Sequence, residues 1–247
     1  MRYFIELAFN GKNYHGWQIQ PDASSVQQTL EESLSTLLRK KIEIVGAGRT
    51  DAGVHAKQLF AHFDTADDLQ NEKFKFKLNS FLPNDIAVKS ISKVNETAHA
   101  RFDALCRTYE YHVHTEKDPF LDTFSYRVVQ IPDIKKMNEA AEMLCHYTNF
   151  QCFSKSKTDV KTYHCKVKVA AWEQHENRLI FTITADRFLR NMVRAIVGTL
   201  LEIGLGKMEV NKMHEIIESK NRSNAGASVP AKGLYLTNIT YPKELFI

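Results

Sequence analysis

Residues 41–63 read KIEIVGAGRTDAGVHAKQLFAHF. Apolar residues alternate in KIEIV at 41–45, the period of a strand with one buried face, and QLFAHF at 58–63 reads as another short strand, so two strands are expected with an irregular loop between them. Gly46, Gly48 and Gly53 allow positive φ or close backbone approach in that loop, and Arg49 and Asp51 are charged side chains at its tip. No Lys-Ser or Lys-Thr pair opens a helix after the glycines, which excludes a phosphate-cradling loop of the Walker type. Two roles stand open for Asp51: a turn aspartate that bonds its own backbone, or a carboxylate presented to a guest.

Upstream, YFIELAF at 3–9 places Tyr3, Ile5, Leu7 and Phe9 on one side of an extended segment. Ser25 with Gln28 is a capping-box pair, and Val26, Leu30, Leu34, Leu37 and Leu38 follow at helical spacing. Downstream, Phe74, Leu78, Phe81 and Leu82 fit a helix over 72–82, although Phe74, Phe76 and Leu78 would also fit a strand, and IAVKSIS at 86–92 is extended. Strand, helix, strand, strand, helix, strand is the ferredoxin-like order.

The second half repeats that order without repeating residues. RTYEYHVHT at 107–115 alternates; Asp133 opens a helix; CKVKVAAW and RLIFTITA are strands. A long helix carries Phe188, Leu189, Met192, Val193, Ile196, Val197, Leu200 and Leu201 and stops before Gly204. A short helix near Met213 and a strand near LYLTNITY close the chain. The expectation is an α+β protein of two ferredoxin-like (βαββαβ) halves, 1–104 and 105–247, around a largely antiparallel mixed sheet. EKDPFLDTFSYRV at 116–128 and the polar loop at 155–162 are candidate ligand-facing insertions.

The totals narrow the class. The chain has 247 residues, 43% of them apolar and 25% charged, the proportions of a soluble globular protein with no run long enough to cross a bilayer. The start, MRYFIELAFNGKNY, lacks the apolar stretch and cleavage site of an export signal, so the cytoplasm is the expected compartment. The four cysteines, Cys106, Cys145, Cys152 and Cys165, contain no CxxC pair, and with His164 they lack the spacing of common zinc sites; neither metal nor cofactor is expected. A net charge of +4 is mild, but basic residues gather at 39–41, at 73–77, at Lys155, Lys157 and Lys161, and at Arg187, Arg190 and Arg194. Such clusters are solvated faces or parts of a surface that tracks a nucleic-acid backbone.

Two further groups carry chemical potential. Tyr109 and Tyr111 share one face of their strand, while Thr108, Glu110, His112 and His114 share the other; an exposed tyrosine there offers a surface for an unstacked base, a buried one a single hydrogen-bonded hydroxyl. Arg187, Arg190 and Arg194 fall on one stripe of the expected long helix, where one turned inward would balance the charge of a carboxylate.

With these residues in view, the sequence resembles the tRNA pseudouridine synthase A family over nearly its whole length. The segments that carry the likeness are NYHGWQIQP at 13–21, VGAGRTDAGVHA at 45–56, LNSFLPNDIAV at 78–88, HARFDALCRTYEY at 99–111, FLRNMVRAIVG at 188–198 and AKGLYL at 231–236. The resemblance implies the pseudouridine synthase fold with a central basic cleft and no cofactor. It implies Asp51 as the catalytic nucleophile, Tyr109 packing against the target uridine, Arg194 pairing with the aspartate, and Arg49 helping to hold the nucleotide out of its stem. It also implies tRNA as partner, modified at uridines 38, 39 and 40 of the anticodon stem-loop, and a homodimer. Where the family has an acidic residue before a phenylalanine, this chain has Asn149 and Phe150, and KTYHC at 161–165 replaces a more arginine-rich version.

Two other classes compete. A non-catalytic RNA-binding protein would use the sheets, tyrosines and basic faces but has no use for a charged Arg-Thr-Asp tip between glycines. A metal-dependent nucleic-acid enzyme would need clustered ligands.

Overall fold

A computed structural model describes residues 1–69, 72–155 and 160–247; Lys157 and the centre of the polar loop, 156–159, lie outside the described residues. The chain forms two compact units, Met1–Leu105 with Tyr235–Ile247, and Cys106–Leu234.

The first unit runs β1 (Arg2–Phe9), α1 (Val26–Leu38), β2 (Val45–Gly46), β3 (His55–Asp64), α2 (Glu72–Phe81) and β4 (Ile86–Val94). β1 lies antiparallel between β4 and β3, with Ile5 opposite both Ile91 and Ala61. The other edge of β3 is shared. β2 pairs antiparallel with its far end, Val45 opposite His62, while the chain's last strand, Leu234–Thr240, pairs parallel with its near end, His55 opposite Tyr235. Tyr3, Ile5 and Leu7 join Val26, Leu30, Leu34 and Leu78 in the core with no exposed surface. β1 is buried on its second face too: Phe4 meets the rings of Phe60, Tyr241 and Phe246 at 6.3, 5.1 and 5.9 Å, so the C-terminal segment covers a face that alternation alone marks as open.

Ser25 caps α1 as its spacing predicts, accepting from the Gln28 N–H at 3.2 Å. The reciprocal half of the capping box is absent, because the Gln28 amide donates to Glu32 at 2.9 Å. KIEIV differs from expectation. Only Val45 and Gly46 pair as strand; the Ile42 and Ile44 N–H groups donate to Ser35 Oγ and Glu31 Oε1 of α1, both at 2.9 Å. Both isoleucines are buried, but side chains of the helix, not a neighbouring strand, satisfy their backbone.

The second unit runs β5 (Cys106–His114), β6 (Tyr126–Arg127), α3 (Ile134–Met143), β7 (Val167–His175), β8 (Arg178–Ala185), α4 (Met192–Gly204) and α5 (Lys212–Ser219). β8 lies antiparallel between β5 and β7, with Tyr109 opposite Ile183, and β6 adds a short parallel pairing to β5. The protein is thus α+β, its strand pairs mixed and mostly antiparallel. α3 starts at Asp133, whose side chain accepts from the Lys136 N–H at 3.1 Å. A Cβ on Gly204 would lie 2.7 Å from Met137 Cγ, so the end of α4 packs on α3 closely enough to need glycine.

The long helix starts later than its apolar pattern predicts. Asn191 has φ of +67°, a left-handed turn that separates 187–190 from α4. Arg187 and Arg190 therefore precede the helix, and the expected arginine stripe reduces to Arg194. No helix among the described residues is long and apolar enough to cross a membrane.

Candidate active site

The loop between β2 and β3 is pinned at both ends. Ala47 N–H donates to the Phe60 carbonyl at 2.8 Å, and Val54 N–H to the Asp51 carbonyl at 3.2 Å, which closes a four-residue turn. Gly53, third in that turn, has φ of +77°, a region L-residues avoid. The other two glycines serve differently. A Cβ on Gly46 would lie 2.3 Å from the Trp17 indole nitrogen, whereas one on Gly48 would meet nothing within 4 Å.

What fixes the loop is a segment far upstream, residues 11–17. A Cβ on Gly11 would sit 2.0 Å from the Val54 carbonyl oxygen, and one on Gly16 2.2 Å from that of Thr50; Gly16 also has φ of +94°. Two backbones lie against each other with no room for a side chain between them. The segment is anchored in turn. Tyr14 is buried, and its hydroxyl donates to Asp85 Oδ1 at 2.6 Å while Asn13 donates to Asp85 Oδ2 at 3.1 Å. Burial and the Asp85 hydrogen bond push the Tyr14 phenol above its usual range, which keeps it a donor. Gly11 N–H donates to His55 Nδ1 at 3.1 Å, and Gly53 N–H to the Tyr14 carbonyl at 3.2 Å. The Gly16 and Trp17 carbonyls accept from Val26 and Gln27, two of the N–H groups that the start of α1 leaves without helical partners. The helix start and the aspartate loop are thus tied to one segment. On this frame Asp51 is half-buried and Arg49 exposed.

In the second unit the two tyrosines of β5 separate. Tyr111 is fully buried, and its hydroxyl donates to the Pro230 carbonyl at 2.8 Å. Tyr109 is half-buried, its ring edge-on to Phe188 with centroids 5.1 Å apart and an interplanar angle of 86°. Arg194, in the first turn of α4, donates from Nε to the Val229 carbonyl at 2.7 Å, and its own carbonyl accepts from Val229 N–H at 3.2 Å. That strand-like exchange depends on a close approach between Gly198 and the segment at 225–229: a Cβ on Gly198 would lie 1.8 Å from the Ala227 carbonyl oxygen.

Asp51 and Arg49 accordingly belong to the first unit, Tyr109 and Arg194 to the second. Among the basic clusters, Lys40 and Lys41 are engaged by Asp67 and Glu43 at 2.6 and 2.5 Å, so the cluster at 39–41 is largely neutralised locally. Burial pushes the Cys152 and Cys165 thiols up to about 12, so both are neutral, and among the described residues no three His, Cys, Asp or Glu side chains are grouped to hold a metal ion. Gly11, Tyr14, Gly16, His55 and Asp85, which position the loop, carry no chemical mark of that role in the sequence; glycines bracketing an aromatic and a histidine, and an aspartate in a Pro-Asn-Asp turn, are the signal it holds.

Comparison with known proteins bears on the same residues. The family model described as tRNA pseudouridine synthase matches residues 7–103 and 140–242, which include the aspartate loop, its supporting segment and α4. A Bacteroides fragilis protein named tRNA pseudouridine synthase A is 54% identical over 247 residues, covering 99% of this chain and 98% of the relative. Proteins of the same name from Porphyromonas gingivalis and Bacillus subtilis are 49% and 38% identical, covering 100% and 98% of this chain and 99% of each relative. Matches of this extent leave no part of either unit's core outside the likeness, and the chain belongs to the tRNA pseudouridine synthase family.

Proposed function

We propose that this protein isomerises uridine to pseudouridine in tRNA, with Asp51 as the nucleophile. The reaction breaks the N1–C1′ bond, turns the base and joins C5 to C1′; C5 loses a proton and N1 gains one, so nothing is oxidised and no group enters or leaves. A carboxylate suits this chemistry because it traps an electron-poor carbon in a covalent intermediate while the base is detached, whether it attacks the sugar or the base. The observation that carries the reading is the rigid presentation of Asp51: its turn is held by Gly53 and by backbone packing against Gly11 and Gly16. A nucleophile so placed has little motion to lose on meeting substrate.

A uridine in a stem must leave the stack to be reached, at a cost of about a few kcal/mol. The family resemblance assigns Tyr109 to packing on the extruded base, Arg194 to pairing with the aspartate, and Arg49 to holding the nucleotide out of its stem. The substrates are uridines 38, 39 and 40 of the anticodon stem-loop, and the working form is a homodimer in the cytoplasm. Support for these finer statements comes from family membership and from the segments quoted above.

Incubation with unmodified tRNA transcript in the presence of EDTA tests the reading. Pseudouridine should form without added metal, and Asp51→Asn should abolish it while tRNA binding persists. A variant that turned over normally would remove Asp51 from the mechanism, and binding without any product from the native enzyme would favour the non-catalytic alternative.

A further inference from the structure

Beside the elements already assigned stands an aromatic residue that the fold holds outside. Phe102 is 74% exposed, yet the turn that carries it is fixed. His99 N–H donates to Asp103 Oδ2 at 2.7 Å, and Asp103 N–H returns to the His99 carbonyl at 3.1 Å. His99 Nδ1 accepts from the Arg101 and Phe102 N–H groups at 3.1 and 3.3 Å. The turn is anchored below: Ala100 N–H donates to buried His62 Nδ1 at 3.1 Å, and the Ala98 carbonyl accepts from Arg2 at 2.9 Å.

Planar groups step outward from this anchor. The His99 ring lies 4.6 Å from that of His62, Phe102 lies 4.3 Å from His99 at 37°, and the Arg101 guanidinium lies 5.6 Å from the Phe102 ring centre. A phenylalanine on a loose loop would fold back onto apolar surface; this one is kept in water by a hydrogen-bonded turn, and a cation stands beside it. The geometry points to a second base-stacking site, formed by Phe102 with Arg101, for an unpaired nucleobase of the tRNA other than the reacting uridine. Aromatic rings and guanidinium planes both hold unstacked bases, and the guanidinium adds attraction for the flanking phosphates. The Arg101 guanidinium beside the ring complements a polyanion, so RNA is the occupant the charge favours, and a second copy of this chain is an outcome of the test. The rigid turn makes the site available without ordering cost at the moment of binding.

The inference rests on tRNA being the substrate, and the test separates the two claims. Equilibrium binding is measured with a tRNA transcript whose target uridines are replaced by cytidine, so no turnover intervenes; isomerisation of the unaltered transcript is measured in parallel. Phe102→Ala and Phe102→Leu should each weaken binding by about tenfold or more, and Phe102→Trp should stay within about twofold of the native protein. The slope of affinity against salt should not change, because no cation is removed. Native affinity in Phe102→Ala overturns the site, as does native affinity in Phe102→Leu, which would mark a merely apolar contact. Native affinity combined with a changed oligomeric state would assign Phe102 to a subunit interface instead. Failure of the native enzyme to make pseudouridine, with the Phe102 effects present, would strike the functional reading and leave the stacking site standing.

Discussion

Acid should destabilise this protein through one buried histidine, His62 of β3. It is 6% exposed, and its Nδ1 accepts the Ala100 N–H. Burial, reinforced by the charges of His99 and Arg2 and opposed by those of Asp64 and Asp103, lowers its pKa to about 4. In the unfolded chain the value returns to about 6.5. Above that pH neither state holds the proton and His62 costs nothing. As the pH falls from about 6.5 to about 4 the unfolded chain takes up a proton that the folded chain refuses, so stability falls through this window and levels off below it. The gap corresponds to about 3 kcal/mol, a large part of a typical domain's margin. His62→Gln isolates the effect, since a glutamine oxygen still accepts from Ala100 but does not titrate. Urea denaturation of both proteins between pH 7.5 and pH 4 should show the native protein losing about 3 kcal/mol more than the variant. The lowered pKa of His114 acts in both proteins and cancels from the difference, while His99, Asp64 and Asp103, which are coupled to His62, cancel only in part. Parallel stability curves for the two would refute the reasoning.

Two substitutions probe the candidate site. Gly16→Ala places a methyl group against the Thr50 carbonyl at a φ of +94°, so it should cost about 2 kcal/mol or more and displace the aspartate loop; pseudouridine formation should drop more than tRNA affinity does, and a variant with native rate and melting temperature would show that the two backbones part easily. Tyr109→Phe keeps the stacking ring but removes the hydroxyl. If that hydroxyl takes the proton from C5, tritium release from tRNA labelled at C5 should slow by about a hundredfold with affinity unchanged, and full activity would eliminate the hydroxyl from proton transfer.

How far the fold can be read from the chain depends on where each backbone group finds its partner. β1, β4, β5 and β8 form where their sequence patterns place strands, and α1 and α3 start at the Ser25 and Asp133 caps, because those signals are local. KIEIV misleads because Ser35 and Glu31 intercept the hydrogen bonds a strand would make. The start of α4 misleads because Phe188 and Leu189 continue the apolar period across Asn191, whose left-handed backbone carries no mark in hydrophobicity. The parallel pairing of the last strand with β3 is invisible in either strand alone. At the site, composition shows a charged tip among glycines but not which glycine matters: Gly53 is needed for its φ, Gly46 for the Trp17 ring, and Gly48 for neither. The supporting contacts of Gly11 and Gly16 join residues distant in sequence, so only their three-dimensional meeting reveals them.

That meeting bears on how such a loop travels between proteins. Because the 50–54 turn takes its shape from main chain contributed by residues 11–17, and that segment is moored to Asp85, His55 and the beginning of α1, the motif is not portable as a short peptide. Transplanted alone into another scaffold, GAGRTDAG would bring its carboxylate but lose the mould that aims it. Carrying the aspartate loop elsewhere with its shape intact would mean moving the whole first unit.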